Sequence, residues 1–284
     1  MRIDLHTHTS VSDGTDTPTE LIHNAVAAGL DVIALCDHDT FGGIPEATAA
    51  AAAAGIGFVP GIEISCDYQG KGVHLLGYGC DMEYQPLAVE LAKIRAGRKQ
   101  RLPRTLGLLA ELGVPVTTDE VMAKVGDAPS VGRPHIADAL VARGHVADRK
   151  EAFDRFLADD GPAYVPRYAT ELLIGIDLIH AAGGASIIAH PWGRGSKEVL
   201  PESVLTQLVR EIGLDGFEVD HNEHNAAARA ELRALARSLG VVALGSSDYH
   251  GTGKKNHPLG ANLTTEADFH RLENAMSRRH HHRG

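Results

Sequence analysis

Only three cysteines occur in 284 residues, Cys36, Cys66 and Cys80, widely spaced and odd in number. They match neither a disulfide framework nor a paired-cysteine zinc site, and a reducing, cytoplasmic compartment is expected. No apolar run approaches the ~18 residues of a membrane span, and the start MRIDL already reads as a strand, so neither membrane insertion nor secretion is expected. Positive charge is scarce as well: 27 Lys and Arg face 37 Asp and Glu, for a formal charge of -10. No global field exists to hold duplex DNA or an anionic membrane, and any phosphorylated ligand needs a local positive site. No GxxxxGK[ST] loop or GxGxxG follows a strand, which leaves P-loop and dinucleotide binding unsupported. Aromatic residues make up only 5% of the chain. Against these shortages stand 17 histidines, and neutral imidazole is the commonest protein ligand for borderline metals. With 43% hydrophobic residues the chain can bury a core in one large domain or two modest ones.

Short apolar, β-rich runs recur at Arg2 to Leu5, Val32 to Cys36, Phe58 to Ile62, Val73 to Gly77, Ser186 to Ala189, Gly216 to Val219 and Val241 to Gly245, which predicts seven strands. Helical patterns lie between many of them. Thr17, Pro18 and Glu20 read as an N-cap, N1 proline and capping box, with Gly29 closing that helix; an Ala-rich helix from Ile44 to Ala54 ends at Gly55. This alternation predicts an α/β fold with a mainly parallel sheet or barrel. Between Asp81 and Ala163 it lapses into helical patterns alone: Leu87 to Leu112 in one or two pieces around Pro103, then Thr118 to Val125, Pro134 to Arg143 and Arg149 to Leu157. The expected organisation is a barrel from residues 1–80 and 164–277, an inserted helical subdomain at 81–163, and a disordered tail at 278–284.

The first strand runs into Asp4-Leu5-His6-Thr7-His8, where alternation puts His6 and His8 on one side. The second ends at Asp37-His38-Asp39, the third at Glu63, the fifth at His190-Pro191 and the last at Ser246-Ser247-Asp248-Tyr249-His250. Those positions are C-terminal strand ends, where an α/β barrel builds its active site. His74 is the exception, at the start or middle of the fourth strand. Asp37 and Asp39 are read either as orienting a metal-bound histidine or as turn residues.

These residues resemble the polymerase and histidinol phosphatase (PHP) superfamily of metal-dependent phosphoesterases. The resemblance is carried by DLHTHTSVSDG at 4–14, CDHD at 36–39, Glu63 in GIEIS, His74 in VHLLGYG, AHP at 189–191 and SSDYH at 246–250. It implies a distorted seven-stranded (β/α) barrel holding two or three divalent ions. One ion takes His6, His8, Glu63 and Asp248; a second takes Glu63, His74 and His190; a third takes Asp13, His38 and His250. Many relatives carry histidine where this chain has Asp13. Mixed histidine and carboxylate ligands suit manganese, iron or zinc better than magnesium. Three such ions outweigh the carboxylates of Asp13, Glu63 and Asp248, leaving about +3 to attract a phosphate dianion and activate a bridging hydroxide for in-line attack.

The helical insertion is similar to that of PHP enzymes that remove the 3'-phosphate from nucleoside 3',5'-bisphosphates, with some relatives trimming short RNA from the 5' end. Arg133, in Ser130-Val131-Gly132-Arg133-Pro134-His135, is the candidate for a second, uncleaved phosphate, with His135 beside it. Arg167 or Tyr168, and His221 and Asn222 in the loop after the sixth strand, are further candidates for substrate contact. The expected partner is a small phosphorylated nucleotide, with short RNA as an alternative. Histidinol phosphate fits less well, since one phosphate gives the inserted basic residues less to do. A non-catalytic metal-stabilised module would tend to lose ligands, and here every liganding position holds a competent residue.

Overall fold

The seven expected strands are all present in the structure, a computed structural model that describes residues 1–125, 131–158, 161–166 and 168–281. They are β1 (Ile3–Asp4), β2 (Val32–Leu35), β3 (Gly57–Tyr68), β4 (Lys71–Tyr78), β6 (Ala185–Ile188), β7 (Gly216–Asp220) and β8 (Val242–Gly245), and a two-residue β5 (Thr170–Glu171) pairs with the end of β3. Neighbours follow the order β1-β2-β3-β4-β6-β7-β8. β4 runs antiparallel to both β3 and β6, while the remaining pairs are parallel. The result is a nearly closed barrel. Its last gap, between β8 and β1, is bridged at Thr7 and Tyr249, where the His8 N–H donates to the Tyr249 carbonyl at 2.8 Å, and by Thr264 N–H donating to the Ile3 carbonyl at 2.9 Å.

Two strands depart from the sequence reading in ways that shape the site. β3 does not stop at Glu63 but continues to Tyr68 and folds back as a hairpin with β4. The turn is Gln69-Gly70, both at positive φ (54° and 78°), the backbone that matches the twist of a two-residue hairpin. Because β4 is reversed, its N-terminal half lies level with the C-terminal ends of the parallel strands, and His74 sits opposite Ser65 of β3.

The barrel is filled by Ile3, Leu5, Val32, Ala34, Val59, Leu76, Tyr78, Ile187 and Leu244, and Phe269, Leu272 and Ala275 of α10 (Glu266–His281) pack into the same core. α1 (Pro18–Ala27) and α2 (Ile44–Ala54) cover the outer face of β2, burying Leu21, Ile22, Ala25, Ala47 and Ala51 with Ile33 and Leu35. The capping box at Thr17 and Glu20 forms as expected: the Glu20 carboxylate accepts the Thr17 N–H at 2.8 Å, and the Thr17 hydroxyl accepts the Glu20 N–H. Also outside the sheet are α7 (Leu172–Ala181), α8 (Glu202–Gln207) and α9 (Ala226–Leu239).

The chain divides into two compact units, Met1–Leu91 with Ala169–Gly284, and Ala92–Tyr168. The second holds most of α3 (Gln85–Glu111), then α4 (Thr118–Val125), α5 (Arg133–Ala142) and α6 (Arg149–Ala152), around Leu109, Val121, Ile136, Leu140, Phe156 and Leu157. α3 is one helix, running through Pro103 although that residue supplies no N–H. At the other end of the chain, α10 extends five residues past the expected Met276 to His281. Arg279 explains this, since its Nη2 donates to the Gly213 carbonyl at 2.9 Å and lies 3.5 Å from Asp215. No helix among the described residues is long and apolar enough to cross a membrane.

Candidate metal centre

β1 ends at Asp4, and the next five residues, Leu5 to Thr9, are all buried without further ladder pairing. Along this stretch His6 and His8 turn towards each other, their Nε2 atoms 2.9 Å apart. Asp37 holds the segment that follows: its carboxylate accepts the Thr9 N–H (2.8 Å), the Thr9 hydroxyl (2.6 Å) and the Ser12 hydroxyl (2.6 Å). Asp39 accepts the N–H and hydroxyl of Ser65. Of the two readings offered for these aspartates, bracing of loops is the one their contacts support.

Glu63, buried in the middle of β3, is the hub. Its Oε2 lies 3.4 Å from His6 Nε2, 3.2 Å from His8 Nε2 and 3.1 Å from His38 Nδ1; its Oε1 lies 2.9 Å from His74 Nδ1 and 3.3 Å from His190 Nε2. On one side Asp248 Oδ1 stands 3.6 Å from His8 Nε2 and 3.4 Å from His250 Nδ1. On another, Asp13 reaches His250 (3.3 Å), His38 (3.5 Å) and His8 (3.6 Å). All nine residues of the expected ligand set therefore meet in one cluster. Within it three groups have converging ligand atoms: His8, Asp13, His38 and His250; His6, His8 and Asp248; and His38, Glu63 and His74.

The donor chemistry fits divalent ions. His8 Nδ1, His38 Nδ1 and His74 Nδ1 are buried and make no hydrogen bond, although each lies within 3.6 Å of a carboxylate oxygen. Lone pairs facing lone pairs in a buried site call for a cation between them. The groups are also coupled electrostatically. Burial works against charge on His6, yet Glu63 and Glu218 lift its pKa well above the ordinary imidazole range. Burial likewise opposes ionisation of Glu63, but His38, His74 and His6 hold it well below the usual carboxylate range. Strain is concentrated here too: His190 (φ 28°) and Asp248 (φ 52°) have left-handed backbone, at a cost of about 1–3 kcal/mol each.

The substrate candidates are engaged within the protein. His221 is fully buried; its Nδ1 accepts the Glu223 N–H at 3.1 Å, so the proton sits on Nε2, 3.3 Å from Asp248 Oδ2. Asn222 donates to the Asn256 carbonyl and accepts from Asn262. Arg133 opens α5, with Nη1 donating to the Leu157 carbonyl at 2.9 Å and its guanidinium over the rings of Tyr164 (5.4 Å) and Phe153 (5.8 Å). His135 Nδ1 accepts the Gly132 N–H at 3.0 Å. Arg167 lies outside the described residues, as does Ser130. The sequence reading missed Lys254, whose ammonium contacts Asp248 Oδ2, and Glu218, a buried strand residue beside His6.

A family model described as the PHP domain matches residues 4–111. A 5'-3' exoribonuclease of Haemophilus influenzae is 35% identical over 256 residues, covering 88% of this chain and 90% of that protein. The chain belongs to the PHP family. A 3',5'-nucleoside bisphosphate phosphatase of Chromobacterium violaceum, another similar protein, is 34% identical over 91% of this chain and 90% of its own length. A solved structure from Bifidobacterium adolescentis, itself assigned by inference as a metal-dependent phosphoesterase, is 33% identical, covers 96% of both chains and superposes with a TM-score of 0.79. This PHP protein is a metal-dependent phosphoesterase, a hydrolase.

Proposed function

We propose that this PHP protein removes the 3'-phosphate from nucleoside 3',5'-bisphosphates. The observation that carries the reading is the convergence on Glu63 of five histidines, flanked by Asp13 and Asp248, in a chain similar along 91% of its length to a relative of that name. His6, His8, Glu63 and Asp248 would hold one ion, Glu63, His74 and His190 a second, and Asp13, His38 and His250 a third, with manganese, iron or zinc the best match to such donors. Bound there, divalent ions supply Lewis acidity, acidifying water towards neutrality and neutralising charge on a phosphoryl group. The chain's own part is to fix that arrangement before substrate arrives. Arg133 is assigned the phosphate that is not cleaved. Its guanidinium is already oriented by Leu157, Phe153 and Tyr164, which lowers the ordering cost of a bidentate contact.

A 5'-3' exoribonuclease acting on short RNA is the second reading, favoured by the Haemophilus influenzae relative. Product analysis with metal-reconstituted protein separates them: inorganic phosphate is measured from a nucleoside 3',5'-bisphosphate, the matching 3'-monophosphate and histidinol phosphate, and mononucleotides are measured from a short 5'-phosphorylated oligoribonucleotide. Arg133→Ala is expected to lower kcat/KM on the bisphosphate by roughly ten- to a hundredfold and on the monophosphate little. Arg133→Lys should recover part of the loss, because a point charge lacks the planar fork. Equal losses on both substrates would remove Arg133 from phosphate recognition. Preferred trimming of the oligoribonucleotide would replace the bisphosphatase reading with the second.

A further inference from the structure

Glu218 lies outside the nine-residue set yet touches three of the segments that carry it. It is fully buried in β7, opposite Leu244 of β8, and the register of the two strands shifts just after it, between Glu218 and Asp220. Such irregularities beside a site re-aim side chains. One carboxylate oxygen, Oε1, stands 3.0 Å from His6 Nδ1 and also accepts the Ser246 hydroxyl. The other, Oε2, accepts the backbone N–H of His190 at 2.7 Å. A single carboxylate thus ties together the segments that follow β1, β6 and β8.

We propose that Glu218 is a positioning residue of the metal centre: it keeps the His6 ring protonated at Nδ1 with Nε2 open to an ion, and it anchors the backbone of His190. The inference rests on the metal-centre reading above. Its geometry is specific. His6 Nδ1 and Glu218 Oε1, 3.0 Å apart, are aligned as a hydrogen bond, unlike the Nδ1 atoms of His38 and His74, so the ring proton lies on Nδ1 and the lone pair left for an ion is on Nε2. That atom faces His8 Nε2 at 2.9 Å, Glu63 Oε2 at 3.4 Å and Asp248 Oδ1 at 3.9 Å, where two nitrogens and two carboxylates converge. Accepting the Nδ1 proton also makes Nε2 a stronger donor to a metal. His190 has the strained φ of 28°, and the hydrogen bond from its N–H holds the backbone that aims its ring at Glu63. An apolar residue would fill the space in β7 without the cost of burying a charge, so the carboxylate is explained by the groups it orients.

The test compares full-length wild type with Glu218→Gln, both purified free of metal. Zinc affinity is measured by competition with a chromophoric chelator, apo-protein stability by thermal melting, and ligand geometry by the visible absorption of the cobalt(II)-loaded forms. Glutamine keeps the size but can present only one acceptor oxygen, so it cannot serve both His6 and His190. Zinc affinity is expected to fall ~10- to 100-fold, the cobalt bands to shift, and kcat at saturating metal to fall with KM little changed, while the apo-protein melts within a few degrees of wild type. Wild-type zinc affinity together with an unchanged cobalt spectrum in Glu218→Gln would overturn the proposal. Should the variant not fold, 15N shifts of the histidine rings in zinc-loaded wild type decide the matter. His6 with a protonated Nδ1 and a coordinated Nε2 supports it; the opposite tautomer overturns it. Wild-type protein that binds no zinc, manganese or iron would instead sink the metal-centre reading, and this inference with it.

Discussion

Asp13 is the carboxylate of the third candidate ligand group, and its surroundings show what it does. Burial works to raise its pKa, but the hydrogen bond with His250 and the rings of His38 and His8 hold it far below the usual carboxylate range. It is therefore held as an anion, and it faces three imidazoles, sharing His8 and His38 with Glu63 and His250 with Asp248. Asp13→Ala is expected to remove one ion selectively, weakening it by no less than the ~10- to 100-fold seen when an outer partner of a ligand is lost. Activity should fall further than total metal content. Metal analysis beside phosphate-release kinetics checks this, and an unchanged metal content would take Asp13 out of the centre.

Among the elements, the short strands owe their positions to polar anchors at their ends as much as to apolar pairing. Asp215, just before β7, accepts the Ser186 N–H of β6 at 3.0 Å and lies 3.3 Å from His180 of α7 and 3.5 Å from Arg279 of α10. Burial opposes its charge, but His180, Ser186 and Arg279 leave its pKa below the ordinary value. A depressed carboxylate contributes stability above the unfolded pKa near 3.8 and loses it as pH falls through the folded pKa. Asp215→Ala is expected to cost about 1–3 kcal/mol at pH 7, and the gap from wild type should close below about pH 4. Denaturant melts at the two pH values supply the measurement. These anchors also mark the limit of sequence reading. Strand ends carrying His38, His190 and Asp248 were legible, because apolar runs stop abruptly at polar clusters. The place of His74 was not, since nothing local announces that β4 runs backwards; its level on the rim follows from pairing with β3 and β6. Glu218 was hidden for a related reason: a lone glutamate in an apolar strand has no periodic signature, and its partner His6 lies 212 positions away. The last turns of α10 were missed because Arg279 earns its order from Gly213 and Asp215, not from its neighbours in the chain.

For the molecule as a whole, the barrel core and the metal cluster are separate sources of order. Leu5, Leu76, Tyr78, Ile187, Leu244 and Leu272 form an apolar core of their own. His6→Ala combined with His8→Ala should abolish metal binding and phosphate release while the far-ultraviolet circular dichroism and cooperative unfolding persist. A double variant that still binds its full metal complement and hydrolyses phosphate would show the ligand set to be wrong. The barrel nevertheless has a seam. Between β8 and β1 no ladder of paired residues forms among the described residues; single contacts span it, among them the bridge at Thr7 and Tyr249, the Thr264 N–H to the Ile3 carbonyl and the Ser247 N–H to Asp4. His6 and His8 stand on one lip of that seam and Asp248 and His250 on the other, so ions held between them would act as a clasp. Ligand present at ~100 times its dissociation constant adds about 2.7 kcal/mol to the closed form. Amide hydrogens of His8 and Thr264 should then exchange with deuterium far more slowly in metal-loaded protein than in apo-protein, while those of the β3–β4 hairpin change less. Equal slowing at both places would mean that the ions stabilise the barrel evenly. If the seam alone responds, metal supply sets how often the two ends of the sheet part, and the protein's susceptibility to unfolding from its first strand becomes a readout of the ions available to it.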